Sequence, residues 1–524
     1  MFKSKYIIGI ALAILTGFNS CADLDLPPLG SPEAGEISEE RQAFLRLAAV
    51  YSGMKDFRYT WSMQCFGDVL SEDATYSGSS NDEASFTLME NYQYPADHTE
   101  ILNKYTYSYM CINKANLFIQ DMESADDALF SEYNKEQMIG EAKFIRAYTY
   151  FELVKIFGGV PCYTEVLALD HERLGRASVE EVYAVIEQDL NDAVAVLPKK
   201  SEIANYDAEY AGRITKGAAL AMQTRVYLYE KKYDEVKRAF ENFQNECGSE
   251  YSLVSPDEYA WQFSLDGEHC SASILEINMY NSTTQSSYGS NNGNRHVLMS
   301  MPRNMTNGFG CAQPTQALAD AYDAEGDMVR KNTTLLSKEE AIQIEVAAKG
   351  EVAPVTDDRT GWYNRKLYLA PGQREENRGN NQPTNLRLIR LAEVYLNYAE
   401  CQIELGNNAE ALKYINLIRN RALLPDATGK DIRTEYEYER TVELMFEGQR
   451  FFDLRRWKKM EETYSKEHWP TGLKIYKLQN GTKIYYHNPE AVQQRNFDAS
   501  KNYWWPIPRY ELNKSTLLDA APYE

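Results

Sequence analysis

Residues 132–161 read EYNKEQMIGEAKFIRAYTYFELVKIFGGVP, and this stretch decides the fold class. Gly140, Phe144, Ala147, Phe151 and Val154 recur at steps of four, three, four and three, the period of a helix with a strongly apolar face. The pattern predicts a helix over Glu132–Phe157. Gly158-Gly159 and then Pro161 end it, because glycine accepts the left-handed cap and proline cannot continue a helix. Just downstream, Ser178 with Glu181 spells a capping box, which opens a helix running to about Leu197, before Pro198.

The same period extends outward on both sides. Gln42–Tyr51 begins a first helix and Tyr105–Met122 reads as another. Ala218–Glu230 followed by Tyr233–Phe243 pairs two helices in the manner of a tetratricopeptide repeat, with Tyr227, Val236 and Phe240 at its aromatic, small and aromatic positions. Arg390–Leu405, Gly406-Asn407 and Ala409–Arg419 make a second pair, close-packed through Ala399, Gly406 and Ala411, and Glu132–Pro198 supplies material for a third. Such a pair cannot bury its apolar face alone, so at least about three must stack. The spacing between pairs is irregular. The predicted fold class is therefore mainly α: one domain over residues 41–524, a tetratricopeptide-like helical superstructure carrying a large irregular, loop-rich insert at about 246–385.

That insert contains Asn281–Asn294, rich in Ser, Thr, Asn and Gly, a Met- and Asn-containing run to Gly310, and short alternating segments near Trp362–Leu369. Ser71–Asn81 is a second loop of similar character. Polar, glycine-punctuated loops are poor core material, and loops on a rigid frame are where function concentrates.

The chain opens with Lys3 and Lys5, then an apolar run from Tyr6 to Phe18, too short to span a bilayer, then Asn19-Ser20-Cys21. Residues 1–20 read as a lipoprotein signal peptide, and Cys21 as the residue that receives the lipid. Phe18 and Asn19 stand where an aliphatic and a small residue are usual. Residues 21–40, including the acidic, proline-bearing Ala22–Pro28, read as an extended tether. Without Lys3 and Lys5 the formal charge moves from −22 to −24, and no other stretch reaches membrane-span length. So acidic a chain, with no basic stripe, repels nucleic acid. Tyrosine is in excess, 38 against 19 phenylalanines, and its flat apolar face with a hydroxyl handle suits sugar recognition. Seven further cysteines, at 65, 111, 162, 247, 270, 311 and 401, show no CxxC and read as buried free thiols. The scattered histidines and the lone His171-Glu172 pair offer no metal cluster, and no cofactor motif is present.

Four motifs carry a family resemblance. Glu141–Tyr148, Phe151–Leu153 and Phe157–Pro161 resemble the signature helix of the SusD/RagB family. Arg390–Glu400 resembles a second signature. Glu439-Arg440, Glu443-Leu444, Glu447-Gly448 and Arg450–Trp457 resemble a third. Pro506-Ile507-Pro508 with Glu511 and Asn513 resembles the C-terminal motif, whereas Lys514–Glu524 replaces the family's usual Asn/Pro/Gly-rich tail. The resemblance implies a surface-exposed outer-membrane lipoprotein whose helical repeats pack on a SusC-like, TonB-dependent β-barrel transporter. It also implies non-catalytic recognition of an oligosaccharide by aromatic platforms and polar residues on the insert loops.

The ligand-contact candidates are accordingly Tyr76 in the first loop, Tyr280, Tyr288, Asn292, Arg295 and Phe309 in the insert, and Trp362, with Tyr363 beside it in a segment that could equally be core. An aromatic ring stacks on the C–H face of a pyranose while Asn and Arg hydrogen-bond its hydroxyl edge. Peptide cargo, as for RagB-like members, and a helical-repeat protein scaffold stay open as alternatives. Glu443, Glu447, Arg450 and Asp453, spaced four, three and three, suggest one helical face. A hydrolase would need one of those carboxyls raised. Arg450, Arg455 and Arg456 within helical reach would lower both, so an ion-pair network is expected and catalysis is not. Glu141 and Arg146 are expected to be buried ionic partners, and Trp504 and Trp505 to pack a chain end.

Overall fold

The computed structural model describes residues 36–76, 84–167, 174–206, 210–280, 293–356, 358–375, 382–464, 474–479, 482–487, 495–515 and 517–518. Cys21, Tyr288, Asn292, the signal peptide and most of the tether lie outside them. The frame is built from α1 (Glu40–Lys55), α2 (Thr99–Ser124), α3 (Lys135–Phe157), α4 (Val179–Val196), α5 (Lys216–Tyr229), α6 (Tyr233–Glu246), α7 (Leu391–Glu404), α8 (Asn408–Arg421), α9 (Ile432–Glu443) and α10 (Arg450–Arg456). From α1 to α8 each helix packs on the next, so the stack propagates by neighbour contacts.

Local chemistry sets the boundaries. Asn134 caps α3 by accepting from the Gln137 amide, and Gly158 ends it at φ +70. The Ser178–Glu181 capping box at α4 is complete in both directions. Helix α3 is buried nearly all round, which places it at the centre of the frame. Its charged groups are paired outward. Arg146 donates to both oxygens of Asp189 on α4 at 2.8 and 2.7 Å, and Glu141 is held by Arg213 and the Tyr51 hydroxyl. Glu152 lies between Lys104 and Lys155, which hold its carboxyl down to about 2 against the cost of burial. Across the later pairs, Arg225 of α5 clamps Glu393 of α7 at 2.5 and 2.6 Å.

Between α6 and α7 the chain makes a long excursion. It leaves along β2 (Ser273–Ile277) and returns along β6 (Leu386–Arg390), and the two pair antiparallel. The strand β1 (Ala74–Thr75) pairs with β3 (Gln313–Pro314), β4 (Leu335–Ser337) with β5 (Trp362–Asn364), and β7 (Lys474–Gln479) with β8 (Thr482–His487). Part of the excursion is itself helical, at Gln316–Glu325, Met328–Thr334 and Lys338–Lys349, each capped by the side chain before it.

The helix read over Tyr105–Met122 starts earlier, at Thr99, the one read from Glu132 starts at Lys135, and two further boundaries differ in ways that shape the site. Arg390 ends a strand rather than opening α7, because Leu386–Arg390 is taken up by the ladder with β2. Glu443, Glu447, Arg450 and Asp453 do not share one helix. α9 stops at Glu443, Phe446 and Gly448 take φ +64 and +74, and α10 starts at Arg450. The break is enforced by close approach: a Cβ on Gly67 would lie 2.2 Å from the Gly448 Cα, and Asp68 accepts from the Gly448 amide. Among the described residues no helix is long and apolar enough to cross a membrane. Cys111, Cys247, Cys311 and Cys401 are buried thiols, as expected, whereas Cys162 and Cys270 are thiols only half-buried.

Candidate ligand-binding site

After α1 the chain turns at Asp56 into the short helix Phe57–Gln64, which sets Phe57 and Trp61 one turn apart with rings stacked 5.4 Å between centroids. From the excursion, Asn294 caps the helix Arg295–Ser300 and delivers His296 edge-on to Phe57 at 5.7 Å and beside Trp61 at 5.5 Å. Burial holds the His296 imidazole neutral, down to about 3, with Nε2 3.0 Å from the Thr60 hydroxyl. The Arg295 guanidinium lies 4.3 Å from the Phe57 ring centroid, a cation over an aromatic ring. On the other side Trp61 meets Phe86 edge-on, and Phe86 stacks on Tyr76 at 4.6 Å and 13°. The Cys311 thiol donates to the Tyr76 hydroxyl. One aromatic array thus runs Arg295–Phe57–Trp61–Phe86–Tyr76.

The array stands at the roots of the two polar stretches. Residues 77–83 follow Tyr76 directly, and 281–292 end just before Asn294. The described residues on either side of the latter stretch, Met279 and Asn294, both bond to the segment Gln382–Asn385. The Met279 amide donates to Asn385 Oδ1 at 2.9 Å. The Asn294 amide and side chain donate to the carbonyls of Gln382 and Thr384 at 2.8 and 2.9 Å. The Tyr76 carbonyl in turn accepts from exposed Arg359 at 3.2 Å.

Of the residues singled out in the sequence, the fold brings together Tyr76 and Arg295. Phe309 belongs to the same end of the molecule, two residues before Cys311 and with the Arg303 guanidinium 5.8 Å from its ring. Tyr76 is only 2% exposed, its ring face taken by Phe86, whereas Tyr280 is 64% exposed at the edge of the 281–292 stretch. Trp362 lies apart: its indole N–H donates to Gln316 and its ring packs on the cluster around Leu318 and Tyr438, with Tyr363 buried beside it. Sequence reasoning missed Phe57, Trp61, Phe86 and His296. The signal was there in Phe57 and Trp61, four residues apart after the first helix.

The acidic motif forms a separate, closed network. Glu443 meets Arg390 at 2.9 Å, Arg421 at 2.6 Å and Arg330 at 3.8 Å, which hold its carboxyl far below the usual range. Glu447 is likewise lowered, by Arg390 and Lys366. Arg450 serves Glu72 and Asp73, and Asp453 serves Arg440 and Arg456. The network is as expected, but the cations on Glu443 and Glu447 come from β6, α8 and the excursion, while Asp453 takes Arg456 from its own next turn. Burial pushes Glu268 up to about 7, yet its carboxylate accepts the Asn385 amide and so braces the loop base.

Two family models match this chain: one described as "SusD family" over residues 347–523, and one described as "Starch-binding associating with outer membrane" over residues 45–228. SusD-like protein P2 of Formosa agariphila is 24% identical, covering 98% of each chain. Starch-binding protein SusD of Bacteroides thetaiotaomicron is 23% identical, covering 95% of this chain and 98% of its own. Among solved structures, a laminarin binding SusD-like protein superposes with TM-score 0.75 at 25% identity, over 93% of this chain and all of the other.

Proposed function

Since the chain belongs to the SusD/RagB family, we propose that it is a surface-exposed, lipid-anchored outer-membrane protein that binds an oligosaccharide without cleaving it and passes it to a SusC-like, TonB-dependent β-barrel transporter. The observation that carries this reading is the aromatic and cationic array from Arg295 to Tyr76 at the shared root of two polar loops. Exposed Tyr280 offers the ring face a pyranose stacks on, and half-buried Phe57 and Arg295, packed on each other, offer an apolar edge and donors. Solved relatives described as binding laminarin, or as holding laminarihexaose, make β-glucan oligosaccharides the first ligands to try. Nothing in the acidic network supports turnover: each lowered carboxylate there is committed to arginine or lysine.

The test is calorimetric titration of the soluble chain from Asp23 onward with laminarin and starch oligosaccharides, other glycans and peptides, beside Phe57→Ala and Tyr280→Ala. Glycan affinity in the millimolar to micromolar range, about 4 to 8 kcal/mol, lost on Phe57→Ala and without release of reducing ends, is the expected result. Binding of peptides alone would overturn the sugar reading. Co-purification of a β-barrel with the lipidated chain tests the transporter.

A further inference from the structure

The end of the molecule that carries the aromatic array differs in charge from the rest of the chain. The sequence holds 77 acids among 524 residues and a formal charge of −22, yet no aspartate or glutamate occurs from Ile277 to Ala319. That acid-free run supplies Arg295 and Arg303 and includes the whole polar stretch 281–292.

Three guanidiniums mark this end. Arg295 lies over Phe57 at one end of the array, and its Nε is buried with no hydrogen-bond partner. Exposed Arg359 stands at the other end, where its Nη1 donates to the Tyr76 carbonyl at 3.2 Å. Arg303 lies 5.8 Å from the Phe309 ring, and a Cβ on Gly310 would sit 3.6 Å from its own Cβ. Gln313 ties the last two segments together. It donates to the Gly310 carbonyl at 3.1 Å and accepts from the Arg359 amide at 3.1 Å.

Described acids close to these positions are engaged elsewhere. Arg450 holds Glu72 and Asp73, Arg495 holds Glu90, Lys338 holds Asp358, and Arg58 holds Asp56. A neutral sugar has no use for such a surplus, since amides and hydroxyls meet its hydroxyl edge. The planar fork of arginine instead matches the paired oxygens of an oxyanion. The negative charge of the whole chain is no obstacle at contact, because at physiological ionic strength fields between exposed charges fade over about 8 Å.

We propose that the ligand of this face is an anionic glycan, one whose sugars carry carboxylate or sulfate groups, and that Arg303 and Arg359, with Arg295, set the preference. The inference rests on the glycan-binding reading above and names the class of glycan.

The soluble chain from Asp23 onward is titrated with oligogalacturonate, with sulfated galactan oligosaccharides and with neutral laminari-oligosaccharides, at about 50 and 300 mM salt. One anionic series should bind about tenfold or more tightly than the neutral one at low salt, with the margin shrinking at high salt. The two anionic arms tell carboxylate from sulfate. Arg303→Gln combined with Arg359→Gln should cut the anionic-over-neutral ratio about tenfold, and Arg359→Lys should keep more of it than Arg359→Gln. The salt dependence is read on the wild-type chain, so it decides the matter even where a variant folds poorly. Neutral oligosaccharides bound as tightly as anionic ones at both salts would overturn the proposal and leave glycan capture standing. An anionic preference untouched by the double substitution would overturn it too. Failure of every glycan to bind would overturn the underlying reading as well.

Discussion

Asn294 donates through its side chain to the Thr384 carbonyl at 2.9 Å, and this bond fixes where the polar stretch 281–292 rejoins the frame. Asn294 is fully buried and also caps the helix that carries Arg295 and His296. Asn294→Ala leaves the Thr384 carbonyl short of a donor and uncaps that helix, costing about 1 to 3 kcal/mol. Ligand affinity, measured by calorimetry, should drop about tenfold or more while the chain stays folded, since the loss is local to the loop root. Unchanged affinity would remove the 281–292 root from the site.

Arg295→Met keeps the aliphatic stem over Phe57 but removes the cation and its donors. About a 5- to 20-fold loss of glycan affinity is expected, with melting temperature nearly unchanged. Arg295→Lys should recover part of it, because a charge remains but not the planar fork. Equal affinities for all three would place the ligand elsewhere.

Glu443→Gln separates the structural reading of the acidic network from a catalytic one. Arg390, Arg421 and Arg330 would share a buried site with no full countercharge, so unfolding free energy should fall by about 3 to 5 kcal/mol. Denaturant titration reads this directly. A stable variant that lost glycan cleavage would instead reveal a hydrolase.

His296 gives a pH dependence with a definite sign. Its folded value is depressed to about 3, while the unfolded chain takes up the proton near the ordinary imidazole value. The unfolded state therefore binds more protons between about pH 3 and 6.5, and the stability contributed by neutral His296 is lost as pH falls through that window. His296→Phe, which keeps an aromatic ring among Phe57 and Trp61, abolishes this term. The stability difference between wild type and variant should shift in favour of the variant by about 3 kcal/mol from pH 7 to pH 4. A constant difference would show that His296 is charged or solvated.

The helical frame was legible because its signals are local. The apolar period of α3, the Ser178 cap and the Gly158 stop all lie within a few residues of the boundaries they set, whereas the Asn134 cap, which moves the start of α3 from Glu132 to Lys135, went unread. What was hidden depends on distant partners. Leu386–Arg390 alternates like a strand but reads as the lead-in to a helix until Ser273–Ile277, more than a hundred residues earlier, lies beside it. The break between Glu443 and Arg450 is imposed by Gly67 and Asp68, far upstream, on a stretch whose own spacing continues the helix. The site was half legible for the same reason. Tyr76 and Arg295 announced themselves as loop residues, whereas Phe57 and Trp61 read as core, and the fold does bury Trp61 and Phe86 there while leaving Phe57 half-buried beside Arg295.

The β2–β6 ladder joins two points of the chain that the whole excursion separates, and Leu391 at the start of α7 donates its amide back to the Ala272 carbonyl. It acts as a collar that closes the excursion at its base, while Arg330, Lys366 and His296 tie parts of the excursion back into the frame. Closing a loop costs only about 0.6 kcal/mol more each time its length doubles, so insertions beyond the collar tax the frame very little. A lineage could therefore rewrite what this protein recognises by lengthening or exchanging the sequence between Tyr280 and Asn294, leaving Asn294, Arg330 and Lys366 in the contacts that hold the frame. Selection on diet and selection on stability would then act on different residues.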